Sequence, residues 1–139
     1  MRFDGDIIIT DPCYIINNDN TVKRDDWELC EYGEDMSLIG IKNCVTSDTG
    51  CGDWSCTVFE ENLNKKLGEF CADAGMVGVF LLDDVLKYNP KFDYHTERPW
   101  TTTLIKDFHG EVDIITNEND EVEVVGVGNI NFKSKQTGF

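Results

Sequence analysis

The segment Asp6–Ile16, DIIITDPCYII, constrains the fold of this chain more than any other. An apolar run rich in β-branched residues stops at Asp11-Pro12-Cys13-Tyr14 and resumes as Ile15-Ile16. β-Branched side chains favour extended backbone. Pro12 fixes its own φ and has no N–H to give to a ladder. The expectation is a strand over Ile7–Thr10 that bends or meets a sheet edge at Pro12. A carboxylate, a thiol and a phenol are thereby gathered at one kink.

The rest of the chain repeats the extended theme. Trp54–Glu60 places Trp54, Cys56 and Val58 on one side and Ser55, Thr57 and Phe59 on the other, which predicts a strand. Ser37–Thr46, Thr101–Asp107, Glu111–Thr116 and Glu121–Val127 also read as strands. Asn129–Lys133 is expected to continue the sheet past a bulge at Gly128. Leu67–Ala72 and Met76–Leu82 flank Asp73-Ala74-Gly75 and read as a hairpin, with Met76–Leu82, apolar on both faces, as a central strand. Phe108-His109-Gly110 is turn-like, and Asn117–Asp120 is a turn. Asn17–Thr21, Ser47–Asp53 and Lys91–Trp100 carry loop signals. Helices are expected only at Arg24–Tyr32 and at Asp83–Asn89, the latter closed by Pro90. The sum is a mostly β, β-rich α+β chain: an antiparallel barrel or sandwich of about seven to nine short strands with one or two short helices. At 139 residues it reads as a single domain, 1–139.

Charge narrows the function classes. Lys and Arg number 12 against 27 Asp and Glu, a net charge of −15. Residues 1–60 hold 13 acidic and 4 basic side chains and residues 61–139 hold 14 and 8, so a count by halves shows no polarity. No basic patch is long enough to follow a phosphate backbone or an anionic bilayer, so direct nucleic-acid and membrane binding are disfavoured. The charge serves solubility, or it marks a surface that docks on a basic partner.

No signal-peptide core or membrane-length apolar stretch is seen, so a cytoplasmic location is expected. There the six cysteines, Cys13, Cys30, Cys44, Cys51, Cys56 and Cys71, are expected as thiols. None is spaced C-x-x-C and only two histidines are present, so no zinc site or other cofactor is implied.

Four constellations carry chemistry-capable side chains. In the first, Asp11, Cys13 and Tyr14 offer a base or ligand and a nucleophile, but Asp11 would raise a neighbouring thiol pKa rather than lower it. The alternative is a turn stabilised by Asp11 with Cys13 and Tyr14 in the core. The second, Thr49–Trp54, has two glycines that let backbone N–H groups approach an anion. Its alternative is a loop in which Asp53 bonds backbone and Trp54 anchors the core. The third holds Asp73 between apolar runs, where an acid must be paired or hydrogen-bonded. If Asp11, Asp53 and Asp73 converge they can hold a hard cation or act as paired carboxylates; separate turn-stabilising roles are the alternative. The fourth, Tyr94–Trp100, gathers Tyr94, His95, Glu97, Arg98 and Trp100 in one long loop, the residue types of a binding hot spot or of a lid on one end of a barrel.

Three of these motifs together resemble an uncharacterised small-domain family of bacteria and their phages. Its usual forms are G-DPCY, GDG-x-Y and a hydrophobic strand bearing DAG. They stand here as Asp11–Tyr14, Gly52–Trp54 and Asp73–Gly75, scattered over about the first 85 residues. Gly52-Asp53-Trp54 departs from the commoner GDG. The resemblance implies a mostly β fold, a bacterial or phage source and a shared architectural reason for the three aspartates. It implies no activity.

Two functions of different class follow. One is a small acidic interaction protein without catalytic activity, engaging a protein partner with a basic surface, as an inhibitor in a bacterium or phage would. The other is a hydrolase built on Asp11, Asp53 and Asp73, or a protein with a small-molecule pocket.

Overall fold

The structure is a computed structural model describing residues 1–17, 36, 40–49, 54–72, 75–94 and 101–138. The strands are β1 (Arg2–Thr10), β2 (Cys44–Asp48), β3 (Trp54–Glu60), β4 (Lys65–Ala72), β5 (Met76–Leu81), β6 (Thr102–Thr116), β7 (Val122–Gly128) and β8 (Asn131–Gly138). The helices among the described residues are α1 (Pro12–Asn17) and α2 (Leu82–Tyr88). The eight strands form one antiparallel sheet in the order β2-β5-β1-β6-β7-β8-β3-β4, open at both ends rather than closed into a barrel.

The sheet folds over itself at the β7–β8 hairpin. There the ladder is short, from Val127↔Asn131 to Val125↔Lys133, after which β8 runs on as the partner of β3. The far strands come back over β1 and β6, and Gly68 of β4 meets Thr103 of β6. A Cβ on Gly68 would lie 2.8 Å from Thr103 Cγ2, so only glycine permits this approach. Between the layers lie Phe3, Ile7 and Ile9 of β1, Ile105, Phe108 and Val112 of β6, Val58 of β3, Phe70 of β4 and Phe132 of β8, all buried. Each such side chain contributes roughly 1.5–3 kcal/mol by leaving water. Phe108 and Phe132 meet edge to face at 5.4 Å.

A second cluster covers part of the outer face. Ile8 and Phe80 point away from the first core and are covered by Cys13, Tyr14 and Ile15 of α1 and by Leu82 and Val85 of α2. Asn89, just past α2, gives its side-chain N–H to the Ile15 carbonyl at 2.7 Å and so ties the two helices together.

Trp54–Glu60 is a strand with the expected bounds, and the second helix starts one residue early, at Leu82. Five expectations are corrected. The kink at Pro12 is a helix start rather than a bend within a strand: proline occupies the first turn, where its missing N–H leaves no bond unmade. The Leu67–Leu82 segment is not a hairpin: β4 pairs with β3, while β5 lies between β1 and β2, so the two strands are not neighbours. Phe108–Gly110 is not a turn but the middle of the 15-residue β6. The sheet continues past Gly128 as expected, but through a turn at Asn129-Ile130 into β8 and not through a bulge. Of Ser37–Thr46, only the end from Cys44 is strand among the described residues, and that strand runs on to Asp48, into the expected loop. The expected helix at Arg24–Tyr32 lies outside the described residues.

Candidate functional site

Asp11 is fully buried. Its Oδ1 accepts the Cys13 N–H at 2.9 Å and its carbonyl accepts the Tyr14 N–H at 3.0 Å, which caps α1. Its Oδ2 accepts the N–H of Met76 at 3.3 Å, fastening α1 to the start of β5. The carbonyl of Gly75, one residue earlier, accepts both the N–H and the hydroxyl of Thr49, at 2.8 and 2.9 Å. Trp54 is paired in register with Ala72. The chain flanking all three sequence motifs is thus tied by main-chain and side-chain bonds, and Asp11 makes the link between the first and the third. Asp53 and Asp73 themselves lie outside the described residues.

Cys13 and Tyr14 are buried in the second cluster, and the Tyr14 hydroxyl lies 3.2 Å from Cys71 Sγ. Beside them Thr102 donates its hydroxyl to Thr10 Oγ1 at 3.0 Å, and Thr10 donates to the Thr101 carbonyl at 3.1 Å. Tyr94 is half-buried and stacks on Phe92 with ring centres 6.4 Å apart. His95, Glu97, Arg98 and Trp100 lie outside the described residues. Cys13, Cys44, Cys56 and Cys71 are free thiols, and burial, with Glu121 adding to it, pushes the Cys56 thiol far above the usual range. Among the described residues no three His, Cys, Asp or Glu side chains are grouped to hold a metal ion.

The other region with chemistry is the half of the outer sheet face that the helices leave bare. It begins where β1 changes from Ile7-Ile8-Ile9 to Arg2–Asp6. Arg2 and Asp4 stand opposite Glu111 and His109 of β6, Glu111 stands opposite Val127 of β7, and Asp113 opposite Val125. Partners in register share a face, so these side chains form one surface. Val127 is 60% exposed and Ile115, on the same face, is 45% exposed.

A bulge shapes this surface. Between Ile7↔Ile105 and Gly5↔Phe108, β1 advances two residues while β6 advances three. Ile105 and Phe108 therefore both point inward, and Lys106 and Asp107 are both exposed. Asp107 takes φ +52°, a left-handed conformation that Asp tolerates better than most residues. Its N–H donates to Asp6 Oδ1 at 2.8 Å.

From Asp107 to Phe132 the chain carries seven carboxylates (Asp107, Glu111, Asp113, Glu118, Asp120, Glu121 and Glu123) and neither Lys nor Arg. The β6–β7 hairpin therefore concentrates an acidity that the count by halves hides. Where β7 and β8 part, a cleft of about 680 Å³ opens between Asn117, Glu121 and Glu123 on one side and Phe59, Lys133 and Lys135 on the other. Glu123 is held there by Asn117 Nδ2 at 3.1 Å and Lys133 Nζ at 3.5 Å.

The sequence reading missed this surface. Its signal was available in two places: the change from DGD to III within β1, and the acid-only stretch after Asp107. No family model, curated protein or solved structure matches the chain. Among the described residues no helix is long and apolar enough to cross a membrane.

Proposed function

We propose that the chain is a cytoplasmic interaction protein without catalytic activity, which engages a basic protein surface through the bare face of β1, β6 and β7. The observation that carries this reading is the β6–β7 hairpin, with seven carboxylates from Asp107 to Glu123 and exposed Val127 and Ile115 in the same surface. Carboxylates steer a cationic partner and fix its register, while apolar side chains among them supply contact area. With the bacterial or phage source that the resemblance implies, inhibition of a host protein with a basic groove is the form such binding takes. A second reading, a small polar ligand, is favoured by the cleft between Glu123 and Lys135.

The test is calorimetric titration of a lysine-rich peptide into two charge-matched variants. Glu111→Gln/Asp113→Asn lies on the face, and Glu60→Gln/Glu69→Gln lies on β3 and β4. The first pair should weaken binding about tenfold and the second little. Equal weakening by both pairs would reduce the effect to net charge and refute the assignment to this face. Binding that ignores salt would refute the electrostatic mechanism.

A further inference from the structure

His109 sits within the bare face between two carboxylates. Nδ1 lies 2.9 Å from Asp4 Oδ1, and Nε2, on the far side of the ring, lies 3.0 Å from Asp107 Oδ1. A neutral imidazole has one N–H, and its other nitrogen is an acceptor that cannot bond a carboxylate. Both contacts are satisfied only by the doubly protonated ring.

The surroundings hold the Asp4 side chain and the backbones of Asp107 and His109 in place whether or not the proton is present. Arg2 grips Asp4 with Nη2 on Oδ1 at 3.0 Å and Nε on Oδ2 at 3.2 Å. Asp107 is fixed by its N–H to Asp6 and by its carbonyl, which accepts Asn129 Nδ2 at 2.8 Å. The His109 N–H donates to Asn129 Oδ1 at 2.8 Å, and its carbonyl accepts the Asn129 N–H at 3.0 Å. The charged groups around the ring are Arg2, Asp4 and Asp6 from β1 and Lys106, Asp107 and Glu111 from β6, with the Met1 ammonium 3.5 Å from Glu111; the β7–β8 turn presents the uncharged Asn129. Arg2 opposes a charge on His109. The two carboxylates in contact outweigh it, and the hydrogen bonds to Asp4 and then to Asp107 raise the imidazole pKa above its ordinary value. Arg2 first and His109 second hold Asp4 below the usual carboxylate range.

We propose that His109 is a proton-operated clasp on the interaction face. As an imidazolium it bridges Asp4 and Asp107 and offsets part of their charge, and on losing its proton it leaves both carboxylates uncompensated toward a basic partner. The regulatory half of this proposal rests on the interface reading above.

Side-chain ¹H–¹⁵N NMR of the whole protein reads the clasp without any partner. The second histidine, His95, is told apart by its persistence in His109→Gln. His109 should titrate above about 6.5, the ordinary histidine value, with both ring nitrogens protonated below its midpoint. Asp4→Asn and Asp107→Asn should each lower that midpoint; asparagine tolerates the left-handed backbone at position 107. A midpoint at or below the ordinary value, or one moved by neither variant, overturns the clasp. Affinity for the lysine-rich peptide should rise about two- to fivefold as pH climbs through the midpoint in the wild type, and it should stay flat over that interval in His109→Gln. The same rise in both proteins overturns the regulatory half. Absence of peptide binding at every pH refutes the interface reading and the regulation with it, while the NMR titration still decides the clasp.

Discussion

One face of the sheet is built in two ways. Around Ile8 and Phe80 it is roofed by α1 and α2, the described buried side chains are chiefly apolar, and Asp11 is sealed inside with its oxygens on two backbone N–H groups. A few residues away along the same strands, around Asp4, His109 and Glu111, nothing among the described residues covers it and the polar groups bond chiefly to one another. Carboxylates occur in both halves but do different work. Buried Asp11 has its place fixed by what it bonds and acts as a rivet of the fold. The exposed acids, even where paired as Asp4 is with Arg2, are screened by water and salt and add little to stability. Such groups are free to serve binding.

The sharpest way to break this contrast is to put a charge on the roofed half. Ile8→Asp buries an unpaired carboxylate and should cost about 4 kcal/mol or more, leaving little folded protein by circular dichroism. Asp11→Ala should cost roughly 2–4 kcal/mol in urea unfolding, because α1 loses its cap and the Met76 N–H loses its partner. Gly68→Ala drives a Cβ into Thr103 and should cost about 1–3 kcal/mol; adding Thr103→Ser, which removes the clashing Cγ2, should recover part of it. On the bare half the same measurement should barely respond: Asp113→Val should stay within about 0.5 kcal/mol.

The smallest effect is the most specific. His109 has a raised pKa in the folded protein, so the stability it contributes is fully present below its unfolded value and is lost as pH rises through the raised folded one. Unfolding curves of wild type and His109→Gln should differ in acid and converge as pH climbs past that midpoint. A difference that grows with pH would give the clasp the wrong sign.

Much of this was legible beforehand. Alternation fixed Trp54–Glu60 to the residue, and the doubly apolar Met76–Leu82 is a strand as far as Leu81, flanked on both sides. What alternation cannot carry is the identity of a strand's partner. Leu67–Ala72 and Met76–Leu82 look like a hairpin because both are extended and a glycine lies between them, yet they belong to different layers. Lys106–Asp107 breaks the alternation of β6, so that Phe108-His109-Gly110 reads as a turn, when the break is a bulge inside one long strand. Pro12 ends the ladder as expected, but Asp11 before it is a helix cap as readily as a turn residue. Tyr94 was singled out and is in place against Phe92; the rest of its cluster lies outside the described residues.

The most direct test of the contrast is a backbone ¹H–¹⁵N spectrum of the protein titrated with the lysine-rich peptide. Amides of Asp4, His109, Glu111, Asp113 and Val127 should shift, while those of Ile8, Thr10, Phe80 and Leu104 under the helices should not. Shifts gathered at Asp11, Cys13 and Met76, with the β6–β7 hairpin silent, would make the buried motifs the site and contradict the account.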